Sequence, residues 1–205
     1  MAAIVGKKLG MTQVFTEDGS RVPVTVIEAT PNKVTAVRDP ERDGYAAVQL
    51  AAIEVDEAKL TKAQLGHLKK ADATAMRALA EFRDEGAEAQ IGEELTVEQF
   101  EPGQRVKVSA TAIGKGFQGT IRRHGFGRGP MTHGSHNVRA PGSIGASADP
   151  ARVFRGTRMP GRMGGGRVTQ RRLEVVEVDA ERHLLLLKGS VPGPKGGTVE
   201  VRSDA

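Results

Sequence analysis

Leu173-Glu174-Val175-Val176-Glu177-Val178-Asp179-Ala180-Glu181-Arg182-His183-Leu184-Leu185-Leu186-Leu187-Lys188 reads as two strands and the turn that joins them. Residues 173–178 are a strand rich in β-branched side chains, Asp179 to Arg182 make the turn, and His183 to Lys188 return. Four leucines in a row on the return strand point to burial on both faces. Further back, Arg105-Val106-Lys107-Val108-Ser109-Ala110 alternates with period two, as a half-buried strand does. Thr198 to Arg202 is a last short strand. The first 53 residues carry the same signature in Ala3-Ile4-Val5, Met11 to Thr16, Val22 to Glu28, Lys33 to Arg38 and Ala46 to Ile53. Glu17-Asp18-Gly19-Ser20, Thr30-Pro31-Asn32, Asp39-Pro40 with Asp43-Gly44, and Pro102-Gly103 supply the turns. Many short strands separated by turn signals predict a small barrel or sandwich.

Two stretches break this pattern. Glu57 to Gly86 is rich in Ala, Leu, Lys and Glu, with Thr61 and Gln64 placed as a capping box and Leu60, Leu65 and Leu68 as a partial apolar stripe. It predicts a small α-containing insertion that ends at Glu85-Gly86. Gly114 to Arg172 fits neither period. It holds 14 of the 26 glycines together with Pro130, Pro141, Pro150 and Pro160, which oppose a regular helix or a central strand. A structureless stretch this long inside a compact chain is functional or disordered.

Charge singles out the same stretch. The 205 residues carry +5 overall, but Ile113 to Arg172 holds 12 Lys+Arg against the single acid Asp149, a net +11 in 60 residues. The remaining 18 basic and 24 acidic residues sum to −6. Eleven of the twelve cations are arginines, Arg122, Arg123, Arg128, Arg139, Arg152, Arg155, Arg158, Arg162, Arg167, Arg171 and Arg172, with almost no carboxylate near them in sequence. A solvated face mixes both signs and needs only lysine. Guanidinium grips phosphate two-pronged and stacks on bases, so the pattern points to nucleic acid. Interleaved glycines let the backbone come close, and Phe117, Phe126 and Phe154 are placed to stack or to anchor. Without a helix suited to a major groove, irregular RNA fits better than duplex DNA.

Other chemistries fail on context. Gly114-Lys115-Gly116-Phe117-Gln118-Gly119 matches G-x-G-x-x-G, but no full helix follows and no acid occurs between Glu101 and Asp149 to hold a ribose, which argues against a nucleotide-using oxidoreductase. Ser109 stands where a Walker loop needs its first glycine. His124, His133 and His136 have no nearby carboxylate or thiol for a metal site, and Ser135, His136 and Asp149 lack the setting of a catalytic triad. Contacts to nucleic acid or backbone suit these histidines better. The chain has no cysteine, which excludes a disulfide scaffold, a thiolate-zinc site and a thiol nucleophile and fits a reducing cytoplasm. No apolar run approaches the ~18 to 20 residues of a membrane span, and Met1 to Gly10 is too short in apolar run for a signal peptide.

The blocks Gly6-Lys7-Lys8-Leu9-Gly10-Met11-Thr12-Gln13-Val14-Phe15, Lys115-Gly116-Phe117-Gln118-Gly119-Thr120, Pro141-Gly142-Ser143-Ile144-Gly145, Arg158-Met159-Pro160-Gly161-Arg162-Met163-Gly164 and Leu184 to Gly193 resemble, in order, segments of the bacterial L-three family of large-subunit ribosomal proteins. The resemblance spans nearly the whole chain and is least distinctive from Ala51 to Glu101. It implies a mainly β fold: a translation-protein-type β-barrel with a small α/β insertion and a long irregular Arg/Gly-rich extension. The barrel would take residues 1–56, 91–113 and 173–205, the insertion 57–90 and the extended rRNA-binding loop 114–172.

The family further implies a structural, non-enzymatic protein of the cytoplasmic ribosome. It would bind large-subunit rRNA, help to nucleate assembly and lie beside ribosomal proteins fourteen and nineteen, with no membrane or small-molecule partner. No cofactor or protein-bound metal is expected, and any structural magnesium would be bound to the rRNA. Expected rRNA contacts are Lys7, Lys8, Lys115, Arg122, Arg123, Arg128, His133, His136, Arg139, Arg152, Arg155, Arg158, Arg162 and Arg167. The loop tip expected near the peptidyl-transferase centre is Gly142, Ser143, Ile144, Gly145, Ala146, Ser147, Ala148 and Asp149. Between Arg139 and Arg152 this tip has no basic residue, its side chains are small, and Asp149 is expected to pair with Arg152 or to shape the turn before Pro150. Some bacterial members carry a methylated glutamine after the Gly-Ser-Ile-Gly block. Ala146 holds that position here and has no amide to modify. The alternative reading is a general cytoplasmic RNA-binding chaperone.

Overall fold

The computed structural model describes residues 2–83 and 89–204. The chain divides into two compact units, residues 1–112 with 167–205 and residues 113–166. In the first unit, β1 (Ala3–Phe15), β2 (Arg21–Glu28), β3 (Asn32–Arg38), the one-turn helix α1 (Pro40–Asp43), β4 (Ala47–Glu54), α2 (Lys62–Lys70), β5 (Met76–Arg83), β6 (Glu94–Leu95) and β7 (Arg105–Thr111) precede the second unit. The second unit contains β8 (Phe117–Gln118), α3 (Thr120–His124) and β9 (Gly161–Arg162). The first unit resumes with β10 (Arg167–Asp179), β11 (Leu184–Lys188) and β12 (Thr198–Ser203).

The expected mainly β barrel is present. Six strands close in the order β1-β12-β7-β10-β11-β2, all antiparallel. Every second side chain points inward, so Val106, Val108 and Ala110, Leu185 and Leu187, and Val199 and Val201 fill the interior. Phe100 and Val97, on a 3₁₀ turn, join that core just ahead of β7, and Val191 joins it in the loop after β11.

The second sheet of this unit, β5-β4-β3-β6, lays Val34, Val48, Leu50 and Phe82 against Ala3 and Val5 of β1. Its other face carries Ala51 and Met76 against Leu68 of α2. That helix starts as its sequence predicts: Gln64 N–H donates to the Thr61 hydroxyl and Thr61 N–H to the Gln64 amide oxygen.

β1 is a strand of the barrel alone, but its Ala3 and Val5 side chains pack on the second sheet. β2 pairs with β1 only from Lys7 onward, so Ala3 and Val5 face away from β12 with no strand beside them. Two side-chain amides take the missing strand's place. Buried Asn32 accepts from Val5 N–H at 2.7 Å and donates to the Val5 and Thr30 carbonyls at 2.9 and 2.8 Å. Gln99 accepts from Ala3 N–H at 3.2 Å and donates to its carbonyl at 2.9 Å.

The structure departs from the sequence reading at six places. β3, β4 and β6 belong to the second sheet, so residues 32–38, 47–54 and 94–95 are not barrel strands as expected of 1–56 and 91–113. Residues 3–5 and 11–16 are one strand rather than two, kept continuous by a bulge between Lys8 and Gly10. Within the α-containing insertion, Met76–Arg83 is a strand, because pairing along β4 overrides its helix-forming composition. The expected end of that insertion at Glu85-Gly86 lies outside the described residues. The stretch predicted to lack regular structure contains the short helix α3, and it stops at Gly166, because β10 begins at Arg167 and pairs with β7. Leu185 and Leu187 are fully buried, but Leu184 and Leu186 only half-buried, so β11 is not covered equally on both faces.

The loop between β11 and β12 is tied to β1 and β2. Gly189 N–H donates to the Pro23 carbonyl, the Thr25 hydroxyl donates to the Gly189 carbonyl at 2.6 Å, and Lys8 exchanges backbone bonds with Gly196 and Gly197. The Lys8 ammonium donates to the carbonyls of Val191 and Gly193 at 2.7 and 3.0 Å.

Replacing Asn32 by Ala leaves a buried N–H and C=O of Val5 without partners. It should cost about 2–6 kcal/mol, at ~1–3 kcal/mol for each stranded group. Urea unfolding checks this, and a loss under ~1 kcal/mol would mean that water replaces the amide. Lys8→Met should release the loop while sparing the barrel. Trypsin should then cut after Lys195 faster than in the parent protein, with the thermal midpoint little changed; an unaltered cleavage rate would show that the ammonium does not hold the loop.

Candidate nucleic-acid interface

Residues 113–166 carry nine cations, Lys115, Arg122, Arg123, Arg128, Arg139, Arg152, Arg155, Arg158 and Arg162, against Asp149 alone. Among the described residues none of these nine is within 4 Å of a carboxylate. All nine are exposed. The unit therefore has a field of one sign with no internal neutralisation, the electrostatic footprint of a polyanion-binding surface.

Its internal order comes from backbone bonds rather than from a core. Phe117 pairs with Arg162 and Gln118 with Gly161. Lys115 N–H donates to the Met163 carbonyl and Met163 N–H to the Gly116 carbonyl, at 2.8 and 2.9 Å, so the two ends of the segment are laddered together. Gly164 closes that ladder in a left-handed conformation, φ +70°, and a Cβ there would overlap the Ile113 carbonyl oxygen. Gly129 has the same constraint against the Asn137 carbonyl, next to its own bond to Val138. Helix α3 ends at Gly125 in the left-handed region and brings Arg123 and His124 to the returning chain. Arg123 donates to the Met159 carbonyl at 2.7 Å, and His124 Nε2 lies 3.0 Å from the same oxygen.

The predicted contact residues thus divide by what they touch. Arg123 bonds the backbone of its own unit, as does His124, which the sequence reading left between nucleic acid and backbone. Arg122 has only a long contact of 3.4 Å to Gln118. Arg152 lies over the Phe154 ring at 5.8 Å, a cation–π pair rather than the expected bond to Asp149. Lys115, Arg128, Arg139, Arg155, Arg158 and Arg162 are exposed, as are His133 and His136. Among the described residues the histidines join no cluster able to hold a metal ion. Phe117 and Phe154 are exposed, while Phe126 is half-buried near His124.

At the tip, Gly142 to Asp149 is exposed throughout. The Ser143 hydroxyl donates to the Gly145 carbonyl at 3.0 Å, and Ser147 bridges to Pro150. Asp149 makes no ion pair among the described residues, which leaves its part in the turn as the remaining expectation.

Three predicted contacts lie in the first unit. Lys7 is exposed on β1, opposite Thr198 and Glu28. Lys8 is occupied by the β11–β12 loop. Arg167 grips Glu200 with both terminal guanidinium nitrogens, Nη1 and Nη2. The neighbouring Arg171 bonds Asp204 at 3.3 Å. Burial alone would raise the Asp204 carboxyl. The bonds from Arg171 and from Arg172 N–H, with the charges of Arg171 and Lys107, outweigh it and hold that group below the usual carboxylate range. Arg171 and Arg172 both face outward because a bulge between Gln170 and Leu173 adds a residue, with Arg172 at φ +57°. Nothing local in sequence marks these pairings, since Glu200 lies 33 residues from Arg167 and Val191 lies 183 from Lys8.

The sequence profile of the family described as Ribosomal protein L3 matches residues 77–184. A protein named Large ribosomal subunit protein uL3 from Synechococcus sp. (strain JA-2-3B'a(2-13)) is 54% identical over 200 residues, covering 97% of this chain and 94% of its own. Proteins of the same name are 52% identical over 200 residues in Trichlorobacter lovleyi, with 97% and 95% covered, and 54% identical over 203 residues in Alkalilimnicola ehrlichii, with 97% and 93% covered. A barrel of the expected kind, a profile match over more than half of the chain and near full-length identity above one half agree: the chain belongs to the ribosomal protein L3 family.

Proposed function

We propose that the protein is a structural constituent of the large ribosomal subunit that binds its rRNA directly through residues 113–166. The observation that carries this reading is the unneutralised set of exposed arginines in that unit. Each arginine can grip a phosphate two-pronged or stack on a base. The body outside this unit carries 21 basic and 24 acidic residues, obtained as 30 less nine and 25 less one, and so holds no comparable excess. The mechanism is electrostatic and geometric: guanidinium groups neutralise phosphates where RNA helices crowd, and glycines let backbone approach backbone. No protein side chain acts as a catalyst. In this reading the protein helps nucleate subunit assembly and lies beside ribosomal proteins fourteen and nineteen.

We also place the tip, Gly142 to Asp149, near the peptidyl-transferase centre. Support comes from the family resemblance, the small exposed side chains and the gap in positive charge between Arg139 and Arg152. A narrow uncharged backbone suits a wedge between RNA segments.

Co-sedimentation of the protein with large subunits through a high-salt wash tests the main reading and separates it from loose, general RNA binding. With purified large-subunit rRNA, log affinity should fall against log salt with a slope of about −4 or steeper, at ~0.7 per contact for at least six contacts. Replacing Arg152, Arg155 and Arg158 by Gln should flatten that slope by about two. An unchanged slope would remove the second unit as the electrostatic footprint.

Ser147→Phe should alter the rRNA footprints of drugs that bind the peptidyl-transferase centre while subunit yield stays normal. Normal footprints with normal yield would place the tip elsewhere, and lost assembly would make it an architectural contact instead.

A further inference from the structure

The second sheet has two edges of unequal kind. β6 is two residues long and leaves little backbone unpaired. β5 runs eight residues, Met76 to Arg83, with neither proline nor glycine, and it pairs on one side only, with β4. Proteins usually disarm an edge by keeping it short, bulged or broken by proline. Among the described residues the main chain of Arg77 to Arg83 makes no backbone hydrogen bond beyond those to β4. Every second residue of β5 therefore presents its N–H and C=O outward, away from the sheet.

Beside that edge lies a groove over the outside of the barrel, and register sets its floor. Ala3 and Val5, which the sheet covers, stand beside Arg202 and Glu200 of β12, and these stand beside Lys107 and Ser109 of β7. Paired residues share a face, so Arg202, Glu200 and Ser109 continue the outer surface on which the sheet packs. With Phe82 and Arg83 of β5 they bound an open groove of ≈ 400 Å³. Its two carboxylates are already engaged. Glu200 is held by Arg167. Glu81 accepts from the Tyr45 hydroxyl at 3.0 Å and from the Gln49 amide at 3.2 Å, with Arg38 at 3.5 Å. Lys107 turns to Asp204 at 3.8 Å. Arg202 is half-buried, and among the described residues no carboxylate lies within 4 Å of Arg77, Arg83 or Arg202. A guanidinium partly withdrawn from water without a counter-charge carries a cost that an incoming carboxylate offsets.

We propose that the free edge of β5 is a docking site for an extended acidic segment of a partner protein, which adds a fifth strand to the second sheet. Its main chain completes the β5 ladder. Its side chains alternate between two faces. On the face toward the barrel a carboxylate meets Arg202. On the other face an apolar side chain lies beside Leu79, which is 39% exposed, with Arg77 and Arg83 two and four residues away along β5. The site thus selects acidic residues alternating with apolar ones. RNA offers phosphates to the arginines, but no row of donors and acceptors at strand spacing for the edge. No residue of 113–166 takes part, so the inference stands apart from the RNA-binding reading.

The test uses the full-length chain and a fluorescein-labelled octapeptide alternating Glu and Val. Fluorescence anisotropy measures binding, and amide hydrogen exchange locates it. The peptide should bind and slow exchange along β5 while leaving β6 unchanged. Arg202→Gln should weaken binding about tenfold, the worth of one charge-assisted bond, with an unchanged thermal midpoint verifying the fold. Methylating the backbone nitrogens of either the glutamates or the valines should abolish binding, because one of the two sets faces β5. These peptide arms leave the protein unaltered and decide the question even if the variant unfolds. Failure of the peptide to bind, binding without protection of β5, or full binding by both methylated peptides would overturn the proposal. Equal binding of a Lys–Val octapeptide, or parental affinity in a folded Arg202→Gln variant, would overturn the acidic specificity. A single-stranded oligoribonucleotide that protects β5 and displaces the peptide at lower concentration would make RNA the occupant instead.

Discussion

A barrel strand that is buried before its neighbour begins has a backbone problem, and the first unit is organised around its solution. β1 pairs with β12 along one edge, but along the other it meets β2 only from Lys7 onward. Ala3 and Val5 are buried, so water cannot satisfy their N–H and C=O groups. The amides of Asn32 and Gln99 each present a donor and an acceptor at the spacing of a strand and complete the ladder. Asn32 also opens β3, so the same side chain that closes the barrel edge sets where the second sheet begins. Gln99 sits in the 3₁₀ turn that carries Val97 and Phe100 into the barrel core. Two polar side chains thus couple backbone satisfaction to the packing of both sheets.

The charges follow a second division of labour. In the first unit cations meet carboxylates: Arg167 with Glu200, Arg171 with Asp204, Lys188 with Glu174, and Arg38 with Asp43 and Glu81. The bond from Lys188, aided by its charge, holds the Glu174 carboxyl below the usual range. Exposed pairs of this kind add little stability. Their effect is to cancel field, leaving a body that repels neither itself nor a polyanion strongly. Residues 113–166 have no such cancellation, and self-repulsion there is tolerable only with counterions or a partner of opposite charge nearby.

How much of this was legible in the sequence depends on the range of the interaction concerned. The hairpin at residues 173–188 and the alternation at 105–110 were readable because a strand's period is local. The Thr61–Gln64 capping box was readable for the same reason. Met76–Arg83 misled because Ala, Leu, Arg and Glu favour a helix in isolation, whereas the register along β4 is a property of the assembled sheet. Arg167 belonged by composition, and Lys8 by the family resemblance, with the cations expected to meet RNA. Only the fold brings Lys8 to carbonyls more than 180 residues away, or Arg167 to Glu200 across the strand pair. Asn32, a turn residue by sequence, became the buried stitch of the barrel through contacts no period could announce. The Arg/Gly excess was visible as composition, but not the bond from Arg123 to the Met159 carbonyl.

The bond from Arg123 to Met159 belongs to a set of chain-to-chain contacts that give a segment with so little apolar burial its shape. A core normally repays chain ordering with buried area. Here the ladder of Lys115, Gly116 and Met163 and the close approaches at Gly129 and Gly164 bring chain against chain, and Arg123 and His124 both aim at one carbonyl. Guanidinium suits both tasks in such a segment. Its five donors lie in a rigid plane, so it can bridge backbone at Arg123, cover a ring at Arg152, and at Arg155 or Arg158 stand open to a phosphate. A lysine in those places would supply the charge but neither the plane nor the fork. The choice of arginine over lysine therefore reflects geometry as much as charge: one side chain type builds the scaffold of the unit and forms the surface it offers.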